Sequence, residues 1–361
     1  MKILAVETSC DETAASIVEL RGQKEKTRLK ILINLVSSQI KIHQQFGGVV
    51  PEVAARAHIE QMPLVLSQAI SRAKLRFSNI DLISVTNGPG LVTSLLVGVE
   101  TAKSLSYLLA KPLIGVNHLR GHIYAALVNY FLGKEKLVNK KIFPAVALIV
   151  SGGHTELFLM KDWYSFKKLG QTLDDAAGEY FDKTAKLLNL GYPGGPVISR
   201  RAVRADKNNV LTGLLPRPML QSQNFDFSFS GLKTAVLYFL NNKKNKPFIK
   251  NKSFVNNFCQ EIQQAAIDVL VAKAIRATQV FGAHSVILAG GVAANKELRQ
   301  QLAAGINDLA ARINFFVPPI EFCTDNALMI ALAGYFKWQK IPQKQKLPDW
   351  QRLEIDPNQE A

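Results

Sequence analysis

Cysteine is nearly absent from this chain: Cys10, Cys259 and Cys323 are the three in 361 residues. An odd, widely spaced set excludes a disulfide framework and a thiolate zinc site, and it suits a reducing compartment. Histidine is almost as scarce, at six. No apolar run reaches the ~20 residues of a membrane helix. The best stretches, Leu95–Val99 and Ser106–Val116, are broken by Glu100 and Lys111. The N-terminal "MKILAVETSC" meets Glu7 too soon for a secretory signal, so a cytoplasmic location is expected. Acid is also in short supply. Against 44 Lys and Arg stand 28 Asp and Glu, a net charge of +16, and such a balance points to a polyanionic partner such as nucleic acid.

The chain is otherwise a globular one, 48% hydrophobic and 20% charged, and longer than one core usually spans, so two lobes are expected. "KILAVETSCDETAASIVEL" reads as strand, polar turn, strand. "PAVALIVSGGHTELFLM", Pro144 to Met160, repeats that plan. Two such hairpins, far apart in the chain, suggest a duplicated fold. Thr8, Ser9 and Thr13 in the first turn, and Ser151 to Thr155 in the second, are candidates for holding oxyanions through hydroxyls and backbone N–H. Two further strands run into glycine turns and then helices, at Asn87-Gly88-Pro89-Gly90 and at Gly290-Gly291. Each is equally a phosphate-binding turn or a plain tight turn. Helical patterns cover Ala55–Lys74, Leu91–Leu109, Asp174–Asn189, Ser253–Val280 and Asn326–Trp338, so strands alternate with helices in an α/β fold with mixed sheets. Residues 241–252 read as a basic surface loop, and the stretch beyond Trp338 as irregular.

In "VNHLRGH", Val116 to His122, two histidines stand four residues apart. On a helix they share a face and can reach one metal ion. The glutamate of a zinc protease's H-E-x-x-H is missing, because Leu119, Arg120 and Gly121 lie between them. Two ligands hold a metal weakly, and spacing alone leaves the third unnamed. In "CTDNALMIALAGYF", Thr324 or Asp325 reads most simply as the cap of the last helix.

Taken together, "ETSCDET" (Glu7–Thr13), "FGGVVPEVAARAH" (Phe46–His58), "NGPGL", "NHLRGH", "VSGGHTEL", "LDDAAGEYFDKTAKLLNLGYPGGP" (Leu173–Pro196), "DFSFSGLKT" (Asp226–Thr234), "LAGGVAANKEL" and "EFCTDNALMI" (Glu321–Ile330) resemble one family closely. It is the tRNA N6-threonylcarbamoyladenosine transferases of the bacterial TsaD type, once misnamed O-sialoglycoprotein endopeptidases. The resemblance implies an actin-like fold of two lobes, residues 1–120 and 121–324. The helix near 325–338 packs back on the first lobe, and 339–361 forms an irregular tail. It names Asp325 as the third ligand beside His118 and His122, a set that leaves positions open on a divalent ion, Fe2+ by family habit and Zn2+ as the alternative. For the small substrate it implies Ile149, Val150, Ser151, Gly152, Gly153, Asp182, Gly195 and Asn295. Read without it, Asp182 is a solvated helix charge and Asn295 a helix cap. Asp11 and Glu12 are candidate proton acceptors. Arg120 departs from the family, which commonly has an acid there, and a cation beside a metal weakens binding unless it points away.

The implied reaction passes the threonylcarbamoyl group of threonylcarbamoyl-AMP to the N6 amine of the adenosine 3′ of the anticodon, releasing AMP. The tRNAs are those reading codons that begin with adenine. The implied partners are tRNA, an inactive paralogue and a small ATPase, with no membrane. Two rivals stand beside this reading. An actin-like kinase or ATPase would use the same hairpins for ATP phosphates and gives no reason for the His/His/Asp set. A non-catalytic scaffold of the same modification complex would bind tRNA without turnover.

Overall fold

The computed structural model describes the chain except residues 207–210, 212, 244, 246–250, 310 and 343–349. Half of the basic 241–252 segment therefore lies outside the described residues. The chain divides into two compact units. The first comprises Met1–Lys136, Trp163–Ser165 and Pro318–Ala361, and the second Leu137–Asp162 and Phe166–Val317.

The first unit is built on β1 (Lys2–Glu7), β2 (Glu12–Arg21), β3 (Arg28–Ser38), β4 (Leu82–Gly88) and β5 (Leu113–Asn117), in the order β3-β2-β1-β4-β5. Strands β1, β2 and β3 form an antiparallel meander, while β4 and β5 add in parallel beside β1. In the second unit β6 (Ala145–Val150), β7 (Thr155–Met160), β8 (Phe166–Gln171), β9 (Ser285–Ala289) and β10 (Asn314–Phe316) are ordered β10-β9-β6-β7-β8. Again the hairpin strands are antiparallel and the last two parallel. The two sheets thus share one plan, that of the duplicated actin-like α/β fold. The central strands explain themselves. "KILAVE", "LISVTNG" and "ALIV" are almost wholly buried, as strands covered by helices on both faces must be. Strand β3 lies at an edge, and its exposed Arg28 and Lys30 discourage pairing with another chain.

Helices Pro51–Arg72, Val92–Leu109, Ala177–Leu187, Lys252–Val280 and Ala327–Lys340 fall where the periodicity predicts them, with ends shifted by a few residues. Among the described residues no helix is long and apolar enough to cross a membrane.

The Ala327–Lys340 helix organises the first unit. Every residue from Ala327 to Phe336 is buried, because the helix packs against β1, β2 and β5 on one side and the His118–Ala126 helix on another. Two glycines permit that approach. A side chain at Gly334 would collide with Ser84, whose hydroxyl instead donates to the Ile330 carbonyl at 2.9 Å. A Cβ at Gly121 would lie 2.9 Å from Ile330 Cδ1 and 3.1 Å from Met329 Cγ. Glycine within a helix costs ~1 kcal/mol against alanine, and here that cost is the condition for helix contact.

Substituting Gly334→Ala is expected to destabilise the protein by about 1–3 kcal/mol through overpacking. Urea unfolding followed by circular dichroism measures this, and an unchanged midpoint would refute the close contact.

Candidate metal centre and small-molecule site

Strand β5 ends at Asn117, whose side chain accepts from the Arg120 N–H at 3.1 Å and so starts the His118–Ala126 helix. The next residue and the one a turn later, His118 and His122, face the same way and are both buried. At the start of the Ala327–Lys340 helix the cap is Asn326, which accepts from Met329 N–H at 3.1 Å. The bare reading of Thr324 or Asp325 as the cap is corrected by one residue. Asp325 is released from capping and turns its Oδ1 to the two imidazoles, 3.5 Å from His118 Nε2 and 3.1 Å from His122 Nε2.

The three candidate ligand atoms all lie within 4.8 Å of one another. Ligands at 2.0–2.2 Å on a tetrahedral ion stand about 3.3 Å apart, close to both carboxylate distances. The surroundings fit a cation as well. His118 Nδ1 faces Ser9 Oγ at 3.0 Å and Glu7 Oε2 at 3.3 Å. A metal-bound histidine needs such a partner to fix its other nitrogen. Burial alone would push the His118 pKa down, but the Asp325 and Glu7 carboxylates bring it up to about 9. The pocket favours positive charge.

Glu7 was not singled out from the sequence, since an acid ending a strand resembles a turn residue. It is wholly buried, yet both oxygens are engaged: Oε1 by the Ser9 N–H at 2.6 Å, Oε2 by the Thr86 hydroxyl. Burial opposes its ionisation, but His118 and Thr86 hold its pKa below the usual value. Arg120 sits two residues from either histidine, so it leaves the helix on another face, where its charge reaches Tyr124 and Lys337.

The hydroxyls of the first turn have protein partners. Thr8 Oγ1 donates to the Ser94 carbonyl at 2.8 Å, and Thr13 Oγ1 lies 2.7 Å from His58 Nδ1. With Ser9 on His118, the oxyanion role predicted for these three hydroxyls gives way to internal bonding. A chain of donors runs through two buried histidines. The Val50 N–H donates to His43 Nδ1 at 3.3 Å, which leaves His43 Nε2 to donate to Gln39 Oε1 at 3.1 Å. His58 Nε2 must donate to the Cys10 carbonyl at 3.0 Å, so His58 Nδ1 accepts from Thr13. Burial lowers the His58 pKa, which favours a neutral ring accepting at Nδ1. The motif Phe46–His58 thus braces the turn that carries Ser9.

Asp11 and Glu12 are buried in the same turn. Burial, with the charges of Asp325 and Asp11, raises the Glu12 pKa well above normal, so Glu12 lies within the field of the His/His/Asp group.

The predicted substrate residues all belong to the second unit. The side chains of Ile149 and Val150 are fully buried, so only their main chain is available to a ligand. Ser151 N–H donates to the His154 carbonyl at 2.8 Å, closing a turn that leaves Gly152 and Gly153 exposed with open space where a Cβ would stand. Gly178 donates its N–H to the Ser151 carbonyl at 3.1 Å. Gly290, at φ +89°, presses against the Val150 backbone. The hairpin end, the start of the Ala177–Leu187 helix and the Gly290 turn therefore meet at the carboxyl ends of β6 and β9, the usual ligand edge of such sheets. Asp182 Oδ1 accepts from the Gly194 N–H at 2.6 Å and sets the start of the Gly194–Ala202 helix, in which a Cβ on Gly195 would make only ordinary contact with Phe181 at 4.0 Å. Asn295 caps the Lys296–Asn307 helix through Leu298 N–H at 3.1 Å and donates to Gln263 Oε1 at 2.8 Å.

The family described as tRNA N6-adenosine threonylcarbamoyltransferase matches residues 30–332. Proteins of that name from Kosmotoga olearia and Bacillus subtilis are similar to this chain. The first is 48% identical over 339 residues, 93% of each chain. The second is 46% identical over 340 residues, 94% of this chain and 91% of that one. Among solved structures, HypF of T. kodakarensis aligns with TM-score 0.59 at 14% identity over 96% of this chain and 48% of that one, a likeness of fold alone.

Two outcomes are expected of this site. Glu7→Gln weakens divalent-metal affinity by about 10–100-fold, measured by competition with a chromogenic chelator. His58→Leu, which strands the Cys10 carbonyl and Thr13 hydroxyl, costs about 1–3 kcal/mol in urea unfolding. His58→Gln, which supplies a donor and an acceptor, recovers much of it. Equal losses for both variants would refute the network.

Proposed function

Because the chain belongs to the tRNA N6-adenosine threonylcarbamoyltransferase family, we propose how its two groups of residues share that reaction. It is an enzyme of tRNA modification, which transfers a threonylcarbamoyl group to the N6 amine of adenosine in tRNA. Membership sets aside the kinase and scaffold readings.

The proposed donor is threonylcarbamoyl-AMP, and the acceptor is the adenosine 3′ of the anticodon in tRNAs reading codons that begin with adenine. The amine attacks the carbamoyl carbon and a C–N bond forms. The bond from that carbon to the phosphate oxygen breaks, AMP leaves, and the amine proton passes to a carboxylate. His118, His122 and Asp325 would hold a divalent cation, Fe2+ or alternatively Zn2+. When bound, it supplies Lewis acidity and a fixed anchor for the carbamoyl end. Glu7 and Ser9 keep the His118 ring turned so that Nε2 is free for that task. Asp11 and Glu12 are the acceptors for the amine proton. In the second unit, the exposed turn at Gly152 and Gly153 offers backbone N–H groups to the phosphate and carbonyl oxygens, Ile149, Val150 and Ser151 shape that turn through their main chain, and Gly195 admits the nucleotide closely. Asp182 and Asn295 act there by holding helix starts in place beside the ribose and base.

The net charge of +16 supports attraction of tRNA phosphates. An inactive paralogue and a small ATPase are proposed partners, and the free thiols of all three cysteines support a cytoplasmic setting.

The observation that carries this reading is the convergence of His118, His122 and Asp325 in a member of this family. Incubating the purified chain, with and without the two proposed helpers, with threonylcarbamoyl-AMP and unmodified tRNA should yield modified adenosine in the digest by mass spectrometry. His118→Ala and Asp325→Ala should lose both bound metal and at least about 100-fold of the activity. Full activity in either would remove the metal from the mechanism.

A further inference from the structure

The glycine turn Asn87–Gly90, a candidate for phosphate, is filled by another part of the same chain. Beyond the Trp350–Arg352 turn, which Tyr107 meets edge-on at 5.4 Å between ring centroids, the chain runs along the ends of β4 and β5. Asn87 Nδ2 donates to the Glu354 carbonyl at 3.0 Å, and the Asp356 N–H donates to the Asn87 carbonyl at 2.7 Å. Gly90 N–H donates to the Pro357 carbonyl at 3.2 Å. The fit is close, since a Cβ on Gly88 would strike the backbone of Asp356 and the Gln359 side chain. The three atoms nearest that position all belong to residues 356 and 359. This segment lies outside the residues matched to the family, 30–332.

The segment ends on the metal helix. Asn117 Nδ2 donates to the Gln359 carbonyl at 3.3 Å and to the Glu360 carbonyl at 3.1 Å, while its Oδ1 caps the helix through Arg120 N–H. The two ends of one amide are thus fixed together: the tail carbonyls hold the amine end and thereby aim the oxygen at the helix. The helix has nine residues, fewer than a helix needs to persist unaided, so its cap matters more than most. His118 is the residue directly after that cap.

We propose that residues 353–360 are a strap that positions the His118–Ala126 helix through Asn117. Asn117 is accordingly a positioning residue, acting on His118 through the backbone. The segment is held by its carbonyls and one N–H and by Leu353 and Ile355 packed against the core, and the seat is shaped by the missing side chain at Gly88.

The test uses the full chain with Gly88→Ala, which removes the room for Asp356, with Asp356→Pro, which removes the N–H given to Asn87, and with both. Hydrogen exchange of the metal-free proteins is read at residues 118–122, and affinity for Co2+ by its visible absorption. Each single variant should speed exchange at 118–122 and weaken Co2+ binding about tenfold. The double variant should do no more than either, because one lifted strap cannot be lifted twice. Unchanged exchange and Co2+ affinity at the helix, with residues 350–361 exchanging faster, would overturn the proposal, as would additive effects in the double variant. The Co2+ arm rests on the three-ligand reading, whereas the exchange arm does not. A parent chain that binds no Co2+ but shows the exchange response would refute the metal reading and support the strap.

Discussion

The contact at Gly121 is the constraint on which the first unit's chemistry depends. Without a side chain there, the His118–Ala126 helix lies against Met329 and Ile330, about one turn of backbone away from Asp325. That single approach sets the carboxylate 3.1 Å from His122 Nε2 across a separation of 203 residues. A Cβ there would lie 2.9 Å from Ile330 Cδ1 and 3.1 Å from Met329 Cγ, so those side chains would have to shift. The glycine that weakens the helix is what assembles the site.

Around this contact the polar groups form one connected system. Glu7 and Ser9 orient His118 from β1 and its turn. His58 braces that turn through the Cys10 carbonyl, and Asn117 starts the helix while anchoring residues 359 and 360. Each member is buried and paired, as low-dielectric surroundings demand, because an unpaired member would be costly. The carboxylates Glu7 and Asp325 flank one imidazole, so the pocket's preference for positive charge is built into its frame rather than added by a surface residue.

Much of the fold was legible because it is written in local pattern. Mainly apolar runs ending in glycine turns mark β4 and β9, and the two hairpins repeat each other closely enough to show the duplication. The histidine pair was legible from its spacing. The proposed third ligand, Asp325, came from the family resemblance and not from local pattern, since nothing near it distinguishes it from a cap until Asn326 is seen to take that duty. Glu7 was illegible for a related reason: a carboxylate at a strand end looks solvated until the fold closes over it. Asp182 and Asn295 show the opposite case. Each has a helix-start bond, as capping chemistry suggests for Asn295, and the proposed ligand role would add to that bond rather than replace it. The hydroxyls of the first turn misled, because a turn rich in Ser and Thr serves an anion or its own neighbours equally well. The packed path of residues 353–360 has no signal in composition. Its polar contacts are made mainly by carbonyls, which every residue carries, and its apolar packing by Leu353 and Ile355.

The central claim is that two imidazoles and one carboxylate from distant parts of the chain share one ion. X-ray absorption at the metal edge of the protein purified from cells grown with trace iron and zinc tests it most directly. The account predicts a shell of light atoms with the multiple-scattering signature of two imidazoles and no sulfur. A sulfur shell, or a spectrum without imidazole scattering, would contradict it.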